Sequence, residues 1–348
     1  MLRVSRLLDV ARSGRPLGFT RPESGPFVVV WNVCRHCNLR CPHCYIAAGA
    51  RPSPRDLDTA GGRRLLESIA AGGVSAVVFS GGEPLLREDL EELVAHASSL
   101  GLSAHLSTSG VLLDPRRAGS LRAAGCSYAG VSIDGPPAFH DANRGLAGAF
   151  DRALAGLEAA RESGMRTGLR MTLTRASAGW IAWVADVART ARADRFYVSH
   201  LVYAGRGLAL LPDVLDRPGT RRALDGLFEL AGEWLAERVS TEVVTGAGEW
   251  DGAYLVHWLR GSRGEADARR VEEALRARGG NTAGEAVLSI DPDGRVHPDP
   301  FWRTASVGDL TRETLAEVLA HPKLADLRRR EDLLRGRCRD CRWLDLCR

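Results

Sequence analysis

The stretch Cys37-Asn38-Leu39-Arg40-Cys41-Pro42-His43-Cys44-Tyr45 decides how the rest of the chain is interpreted. It follows an apolar run at residues 27–33, which has the length and composition of a buried strand. Three thiolates spaced in this way can each bind one iron of a cubane iron–sulfur cluster. The fourth iron would then have no protein ligand, so the loop predicts a cluster that is open to a small molecule.

A zinc site is the other interpretation of this loop. Cys34 precedes Cys37 by three positions, and that spacing is also found in zinc knuckles. We favour the cluster and expect Cys34 to be a small apolar residue at the end of the strand, as unpaired cysteines often are.

Composition narrows the class of protein. The chain has 348 residues, of which 45% are hydrophobic and 26% charged, with a net charge of +4; these values are ordinary for a soluble globular protein. Basic residues are interleaved with Asp and Glu, so we expect no nucleic-acid partner. The N-terminus has arginines and no continuous apolar run, and no stretch approaches the roughly twenty apolar residues of a spanning helix. The eight cysteines are clustered, which in a chain of this length favours metal binding in a reduced, cytoplasmic protein without a membrane partner.

Short apolar runs alternate with helical periods from residue 27 onward. Repeated β-then-α units predict an α/β fold with a parallel sheet, either a partial (β/α)6 barrel or an open sheet. Ligands of such folds bind at the carboxyl ends of the strands, where the cysteine loop lies. The predicted strands are 27–33, 75–80, 103–107, 127–133, 167–173 and 195–199. The predicted helices are 3–12, 58–71, 86–100, 114–124, 147–163 and 178–190.

The pattern changes beyond about residue 210. Helices are expected at 219–238, 266–278, 311–319 and 322–335, with a hairpin at 286–296 whose turn is Pro-Asp-Gly. We therefore divide the chain into an N-terminal extension (1–26), a core (27–210), and linker helices with a smaller C-terminal α+β domain (211–348).

Other strand ends carry polar or glycine-rich segments. Ser80-Gly81-Gly82-Glu83-Pro84 follows the second strand, and glycines allow a ligand to approach the backbone closely. Ser107 and Thr108 follow the third strand, and Ser132 and Asp134 the fourth. Turn and cap chemistry is the alternative role of these residues.

Together, the cysteine loop and the Gly-Gly-Glu-Pro segment resemble the radical S-adenosylmethionine (radical SAM) superfamily. The resemblance implies that Cys37, Cys41 and Cys44 are catalytic ligands of a [4Fe-4S] cluster whose open iron chelates SAM. It implies that reductive cleavage of SAM gives a 5′-deoxyadenosyl radical, which removes a substrate hydrogen. Arg170 could pair with the SAM carboxylate or belong to a structural ion pair. The implied cofactor-binding residues are Tyr45, Gly81, Gly82, Glu83, Pro84, Ser107, Thr108, Ser132, Asp134 and Arg170.

A second cysteine group, Cys338, Cys341 and Cys347, follows the predicted hairpin. It resembles the C-terminal auxiliary-cluster domain of SPASM and twitch-type radical SAM enzymes, which implies a second iron–sulfur cluster. A structural zinc site is the alternative. Since relatives usually carry a further cysteine, we expect a fourth ligand beyond a truncated end or from elsewhere, with Asp299 and His297 as candidates.

Four further stretches indicate which family within the superfamily the chain resembles: Val131 to Gly135, His140 to Gly145, Ser199 to Gly207, and His297 to Trp302. They resemble the NirJ family of haem d1 biosynthesis and its siroheme-pathway relatives AhbC and AhbD. The resemblance implies a tetrapyrrole substrate, 12,18-didecarboxysiroheme, that loses two propionate side chains and gains oxo groups. A flavodoxin or ferredoxin would be the electron donor. The candidate substrate contacts are His200, Tyr203, Arg206 and Arg144.

Five alternatives remain open at the level of the sequence. The chain could remove acetate groups as AhbC does, or oxidatively decarboxylate propionates as AhbD does. It could be a SPASM-type peptide maturase, which ranks below these. An iron–sulfur electron-transfer or sensor protein would use the clusters without cleaving SAM. A zinc-binding structural module would use only the thiols.

Overall fold

A single mixed sheet organises the chain in the computed structural model, which describes residues 1–16 and 28–348. Within these residues the sheet has ten strands in the order β10-β9-β8-β1-β2-β3-β4-β5-β6-β7. Neighbours from β8 through β1 to β7 are parallel, whereas β8, β9 and β10 pair antiparallel. The strands are β1 (Val28–Asn32), β2 (Ala76–Ser80), β3 (Ser103–Thr108), β4 (Cys126–Ser132), β5 (Arg166–Leu173), β6 (Arg195–His200), β7 (Glu242–Gly246), β8 (Val287–Ile290), β9 (Arg295–His297) and β10 (Gly308–Asp309).

Helices connect the parallel strands. The helices are α1 (Val4–Ser13), α2 (Thr59–Ala71), α3 (Leu90–Ser99), α4 (Pro115–Ala123), α5 (Pro137–Arg144), α6 (Ala149–Glu162), α7 (Ile181–Thr190), α8 (Arg217–Ala236), α9 (Trp250–Ser262), α10 (Glu265–Arg278), α11 (Leu315–Leu319), α12 (Pro322–Arg328) and α13 (Leu344–Cys347). Asp58, Asp114 and Asp216 cap α2, α4 and α8 by accepting a hydrogen bond from a backbone N–H of the first turn. No described helix is both long enough and apolar enough to cross a bilayer.

The predicted α/β fold is confirmed, with strands and helices close to their expected positions. Phe27, predicted in the first strand, lies outside the described residues. The sheet is wider than six units because the apolar segment after α8 forms β7, and because the Pro-Asp-Gly hairpin (β8 and β9) adds β8 beside β1. Three of the described helices, α5, α9 and α13, were not predicted. The predicted boundary near residue 210 falls between β6 and α8, and the sheet continues across it.

Two large apolar clusters pack against this sheet. One joins β1 to β4 with the C-terminal hairpin and α11 and α12; Trp31, Phe79 and Leu324 are all fully buried in it. The other joins β5 to β7 with α1, α8, α9 and α10. The carboxyl ends of β1 to β6 lie at one edge, and the loop of residues 33–58 leaves β1 there.

Candidate functional site

Three thiols of the β1–α2 loop share an apolar environment. Cys41 is buried, and Cys37 and Cys44 pack beside it with Leu39 and Val111. The backbone N–H of Leu39 donates to Sγ of Cys37 over 3.3 Å. Burial raises the pKa of the Cys37 thiol to about 12, and the nearby thiols act in the same direction. The structure therefore brings the predicted ligands together.

Cys34 does not join this group. Its side chain is 2% exposed, and its Sγ donates to the carbonyl oxygens of His36 and Glu83 over 3.5 and 3.4 Å. Burial raises the pKa of this thiol to about 11. These contacts agree with the expectation that Cys34 is a buried residue at the strand end. In residues 1–16 and 28–348, no three His, Cys, Asp or Glu side chains converge as ligands of a single metal ion.

The Gly-Gly-Glu-Pro segment packs directly against the cysteine loop. The N–H of Gly82 donates to the carbonyl of Cys34, and that of Glu83 to the carbonyl of His36, each over 2.9 Å. A Cβ atom on Gly82 would overlap the His36 carbonyl oxygen, and Gly81 has φ of +134°. Close approach of two backbones, rather than of a ligand alone, thus requires glycine here.

Glu83 ties the ends of β2 and β3 together. Its carboxylate is 1% exposed and accepts hydrogen bonds from Oγ1 of Thr108 (2.6 Å), from N–H and Oγ of Ser109 (2.9 and 2.6 Å) and from N–H of Leu85 (3.2 Å). The role of Glu83 as a cofactor-binding residue, which the resemblance implies, stays a prediction.

Polar side chains continue across the neighbouring strand ends. Nη2 of Arg170 donates to Oγ of Ser107 over 2.6 Å, and Oγ of Ser80 lies 3.3 Å from the same oxygen. Ser132 is in register with Arg170. The hydroxyl of Tyr45 donates to Asn32 over 3.2 Å. These residues form one polar wall beside the cysteine loop, as their positions at strand ends predicted.

A buried ion pair lies behind the loop. Arg144, at the end of α5, contacts Oδ2 of Asp134 through Nη2 over 2.7 Å and donates from Nη1 to Sγ of Cys41 over 3.5 Å. Burial alone would raise the pKa of Asp134, but the charge of Arg144 together with His43, His140 and the N–H of Thr172 outweighs burial and holds that pKa at about 2. Arg144 is therefore engaged with the loop rather than exposed as a substrate anchor.

Arg206 also serves the loop. Its Nε and Nη1 donate to the carbonyl oxygens of Cys41 and Ala48 over 2.8 and 2.7 Å, and its backbone N–H donates to that of Cys44. These bonds fix the loop's conformation through Nε, Nη1 and the backbone N–H of Arg206, and its expected contact with substrate stays a prediction.

His200 and Tyr203 remain available near the end of β6. Nε2 of His200 contacts both carboxylate oxygens of Asp251, at 2.9 and 3.1 Å, and the imidazole packs on Trp250. Asp251 only accepts, so Nε2 carries the proton; Nδ1 has no hydrogen-bond partner among the described residues. Tyr203 is 51% exposed.

The C-terminal cysteines form a second group. Cys338 and Cys341 are exposed, and Cys347 is half-buried with its Sγ 3.8 Å from the carbonyl oxygen of Glu249. Burial raises the pKa of Cys347 to about 11, and the charges of Cys341 and Cys338 act in the same direction.

The two suggested extra ligands have other partners. The ring nitrogens of His297 contact Asp291 and the Ala305 carbonyl oxygen over 3.1 and 2.8 Å. Asp299 accepts from the N–H groups of Phe301 and Trp302 over 2.6 and 2.8 Å. A ligand role for His297 would require one of its bonds to break, whereas both bonds of Asp299 are accepted by Oδ1 and leave Oδ2. The ligand role of either residue stays a prediction.

The first cysteine group suits an iron–sulfur cluster. The three thiols belong to one apolar cluster of side chains, and a buried cation contacts the thiol of Cys41. Nε of Arg144 is buried without a partner in the described part of the chain, which leaves a donor for a cluster sulfur.

Sequence reasoning missed several residues that complete the site. Asn32, Asn143 and Asp251 hold Tyr45, Asp134 and His200 respectively. No motif distinguishes them from other polar residues. Their partners along the chain are known only once the strands are assembled.

Two family signatures match the chain. The radical SAM superfamily signature covers residues 31–176, and that of the SPASM iron–sulfur cluster-binding domain covers residues 282–342. The first range contains the cysteine loop, the glycine segment and Arg170, and the second contains the hairpin with Cys338 and Cys341. Fold, site and signatures thus define a radical SAM enzyme with a C-terminal iron–sulfur domain, and the chain belongs to that superfamily.

Within the radical SAM superfamily, the chain is similar to enzymes of haem biosynthesis. The chain is 38% identical to the pre-heme d1 synthase of Dinoroseobacter shibae over 100% of its own length and 86% of the relative's. It is 37% identical to the Fe-coproporphyrin III synthase of Methanosarcina barkeri, over 92% of the chain and 82% of that protein. PqqA peptide cyclases, such as that of Xanthomonas axonopodis, match 63% of the chain at 35% identity.

Solved structures agree on the fold. Streptococcus suis SuiB bound to S-adenosylmethionine superposes with a TM-score of 0.70 and 17% identity, covering 93% of this chain and 72% of SuiB. The enzyme anSMEcpe with bound AdoMet gives a TM-score of 0.70 and 18% identity, with coverage of 92% and 87%.

Proposed function

We propose that this chain modifies an iron tetrapyrrole in haem d1 biosynthesis. The reaction is removal of two propionate side chains of 12,18-didecarboxysiroheme and their replacement by oxo groups. The observation that carries this proposal is the 38% identity to a pre-heme d1 synthase along the entire chain. The matched length spans both cysteine groups and the segments around His200 and His297.

Cys37, Cys41 and Cys44 would hold the [4Fe-4S] cluster, with SAM at its open iron. When bound and reduced, the cluster supplies the electron that cleaves SAM to a 5′-deoxyadenosyl radical. Ser107, Ser132 and Arg170 line the wall at the strand ends, where the SAM carboxylate and ribose would be recognised by charge-assisted hydrogen bonds.

Exposed aromatic side chains follow β6, β7 and β9. Tyr203 is 51%, Trp250 52% and Trp302 40% exposed. A flat macrocycle can stack on such rings, which bring large apolar area with little entropy loss. The chain's one lysine, Lys323, which lies over the Trp302 ring, can donate to a propionate carboxylate, whereas Nδ1 of His200 has a lone pair that would suit the iron of the macrocycle.

Cys338, Cys341 and Cys347 would hold a second, auxiliary cluster. We infer that a flavodoxin or ferredoxin supplies the electrons. The proposed reaction does not depend on the number of irons in the second cluster or on its fourth ligand.

A second candidate is synthesis of iron-coproporphyrin III, in which acetate side chains are lost. It is favoured by the 37% identity to the Methanosarcina barkeri enzyme. Peptide maturation has less support, since the peptide cyclases match a smaller part of the chain.

Product analysis distinguishes these reactions. Anaerobically reconstituted protein is incubated with dithionite, SAM and didecarboxysiroheme. The tetrapyrroles are then separated, and their masses are determined by mass spectrometry. We expect loss of two propionate groups together with 5′-deoxyadenosine, and neither product from Cys41→Ala. Loss of acetate groups would identify the second candidate, and 5′-deoxyadenosine formation with an unaltered macrocycle would exclude a tetrapyrrole substrate.

A further inference from the structure

The end of α5 is fastened to the cysteine loop. The N–H of Arg40 donates to the carbonyl oxygen of Arg144 over 3.1 Å. Nη1 of Arg144 reaches Sγ of Cys41 over 3.5 Å. Arg144 is 6% and Cys41 8% exposed, so this contact is shielded from water.

Asp134 fixes the direction of the guanidinium. Its Oδ2 lies 2.7 Å from Nη2 of Arg144 and also accepts from Nδ2 of Asn143 over 2.8 Å, while its Oδ1 accepts from the N–H of Thr172 over 3.1 Å. The carboxylate itself is fully buried. Because three groups hold Asp134, the guanidinium of Arg144 is directed at Cys41. The N–H at Nε of Arg144 is buried and has no hydrogen-bond partner in the described residues.

A cation at this position acts on the redox equilibrium of a cluster. Reduction adds a negative charge to the iron–sulfur core, and N–H donors or positive charge near a sulfur stabilise that form. The interaction is strong where burial lowers the effective dielectric constant. A guanidinium at Cys41 therefore makes the cluster easier to reduce.

We propose that Arg144 raises the reduction potential of the cluster held by Cys37, Cys41 and Cys44. Asp134 is the residue that positions Arg144, in addition to any contact with SAM. The proposal requires only the cluster, so it does not depend on the tetrapyrrole substrate proposed above.

The potential is measured by a redox titration that follows the electron paramagnetic resonance signal of the reduced cluster. All proteins carry Cys338→Ser and Cys341→Ser, so that only the first site is observed; both cysteines are exposed, and their replacement removes little packing. We expect Arg144→Gln to shift the midpoint to more negative potential. Asp134→Asn leaves the cation uncompensated and should shift the midpoint the opposite way.

The double variant Asp134→Asn/Arg144→Gln keeps a hydrogen-bonded, uncharged pair and should have a midpoint between those of the parent protein and Arg144→Gln. If Arg144→Gln assembles no cluster, the midpoint potential of the double variant tests the proposal instead. Arg195→Gln is the matched control, because Arg195 pairs with Glu242 at the opposite edge of the sheet. An unchanged midpoint in Arg144→Gln, or in the double variant where it alone is measurable, would overturn the proposal. Shifts of the same sign in the two single variants would also overturn it.

Discussion

At the scale of residues, His140 lies behind the Asp134 carboxylate as an uncharged acceptor. Its Nδ1 accepts the backbone N–H of Asp134 over 3.1 Å, and the side chain is 1% exposed. Burial, with a further contribution from the Arg144 charge, lowers the pKa of His140 to about 4. Folding therefore keeps this imidazole neutral where an exposed one would be protonated.

The pKa of His140 predicts a pH dependence of stability. Below the ordinary histidine pKa of about 6.5 the unfolded chain binds a proton, whereas the folded chain does not until about pH 4, so stability falls as pH falls between these values. His140→Gln retains an acceptor and should reduce this loss by about 3 kcal/mol across the window. The measurement is the urea midpoint at pH values from 6.5 to 4, with His257→Gln as the same replacement at an exposed position. Parallel profiles for the parent and His140→Gln would refute the prediction.

Spacing along the sequence predicted the cysteine ligands and the strand-end residues, because these are separated by few residues or follow successive strands. The roles of Arg144 and Arg206 could not be predicted in this way. Arg144 contacts Cys41 although 103 residues separate them along the chain, and Arg206 does so across 165 residues. Both were named as candidate substrate contacts from the family resemblance, and the sequence alone does not show which atoms of the loop each arginine contacts.

At the scale of elements, the contact between the glycine segment and the cysteine loop holds two adjacent strand ends together. Hydrogen bonds from Gly82 and Glu83 to the carbonyls of Cys34 and His36 extend the pairing of β1 with β2 beyond the last paired residues. The loop's geometry thus depends on the absence of a side chain at position 82.

Gly82→Ala tests this dependence. The added Cβ would meet the His36 carbonyl oxygen, a backbone atom that cannot rotate away, so the cost should reach or exceed the roughly 1–3 kcal/mol typical of overpacking. We expect lower iron content after reconstitution, counted per chain, in a protein that still folds. Gly119→Ala in α4 is the control, since its Cβ meets open space, and it should stabilise the helix by about 0.5–1 kcal/mol. Equal iron content in the two variants would mean that the loop tolerates a side chain here.

Two of the elements that sequence analysis missed, α5 and β7, are short. α5 has eight residues and begins with a proline that follows another proline, so it resembles a turn in sequence. β7 has five residues, and it pairs with β6, from which α8 separates it along the chain. Longer periodic segments such as α6 and α8 were predicted because their apolar spacing is sustained over several turns.

At the scale of the whole molecule, the C-terminal hairpin is part of the same sheet as the cysteine loop's strand. Ile290 of β8 is in register with Trp31 of β1, and both are fully buried in the apolar cluster that also contains Leu324. The iron–sulfur domain signature at residues 282–342 therefore covers a segment that packs with the radical SAM strands rather than apart from them.

Because the hairpin and β1 share a sheet and an apolar cluster, a substitution that destabilises the hairpin should also destabilise β1. Ile290→Ala removes fully buried side-chain volume and should cost about 2–5 kcal/mol. The backbone amides of β1 should then exchange hydrogen faster, while those of β6 change little, because β6 packs in the other apolar cluster. The control is Leu255→Ala in α9, which is equally buried in that other cluster and should speed exchange in β6 or β7 instead. Faster exchange confined to β8 and β9 in Ile290→Ala would show that the hairpin and the radical SAM strands unfold independently.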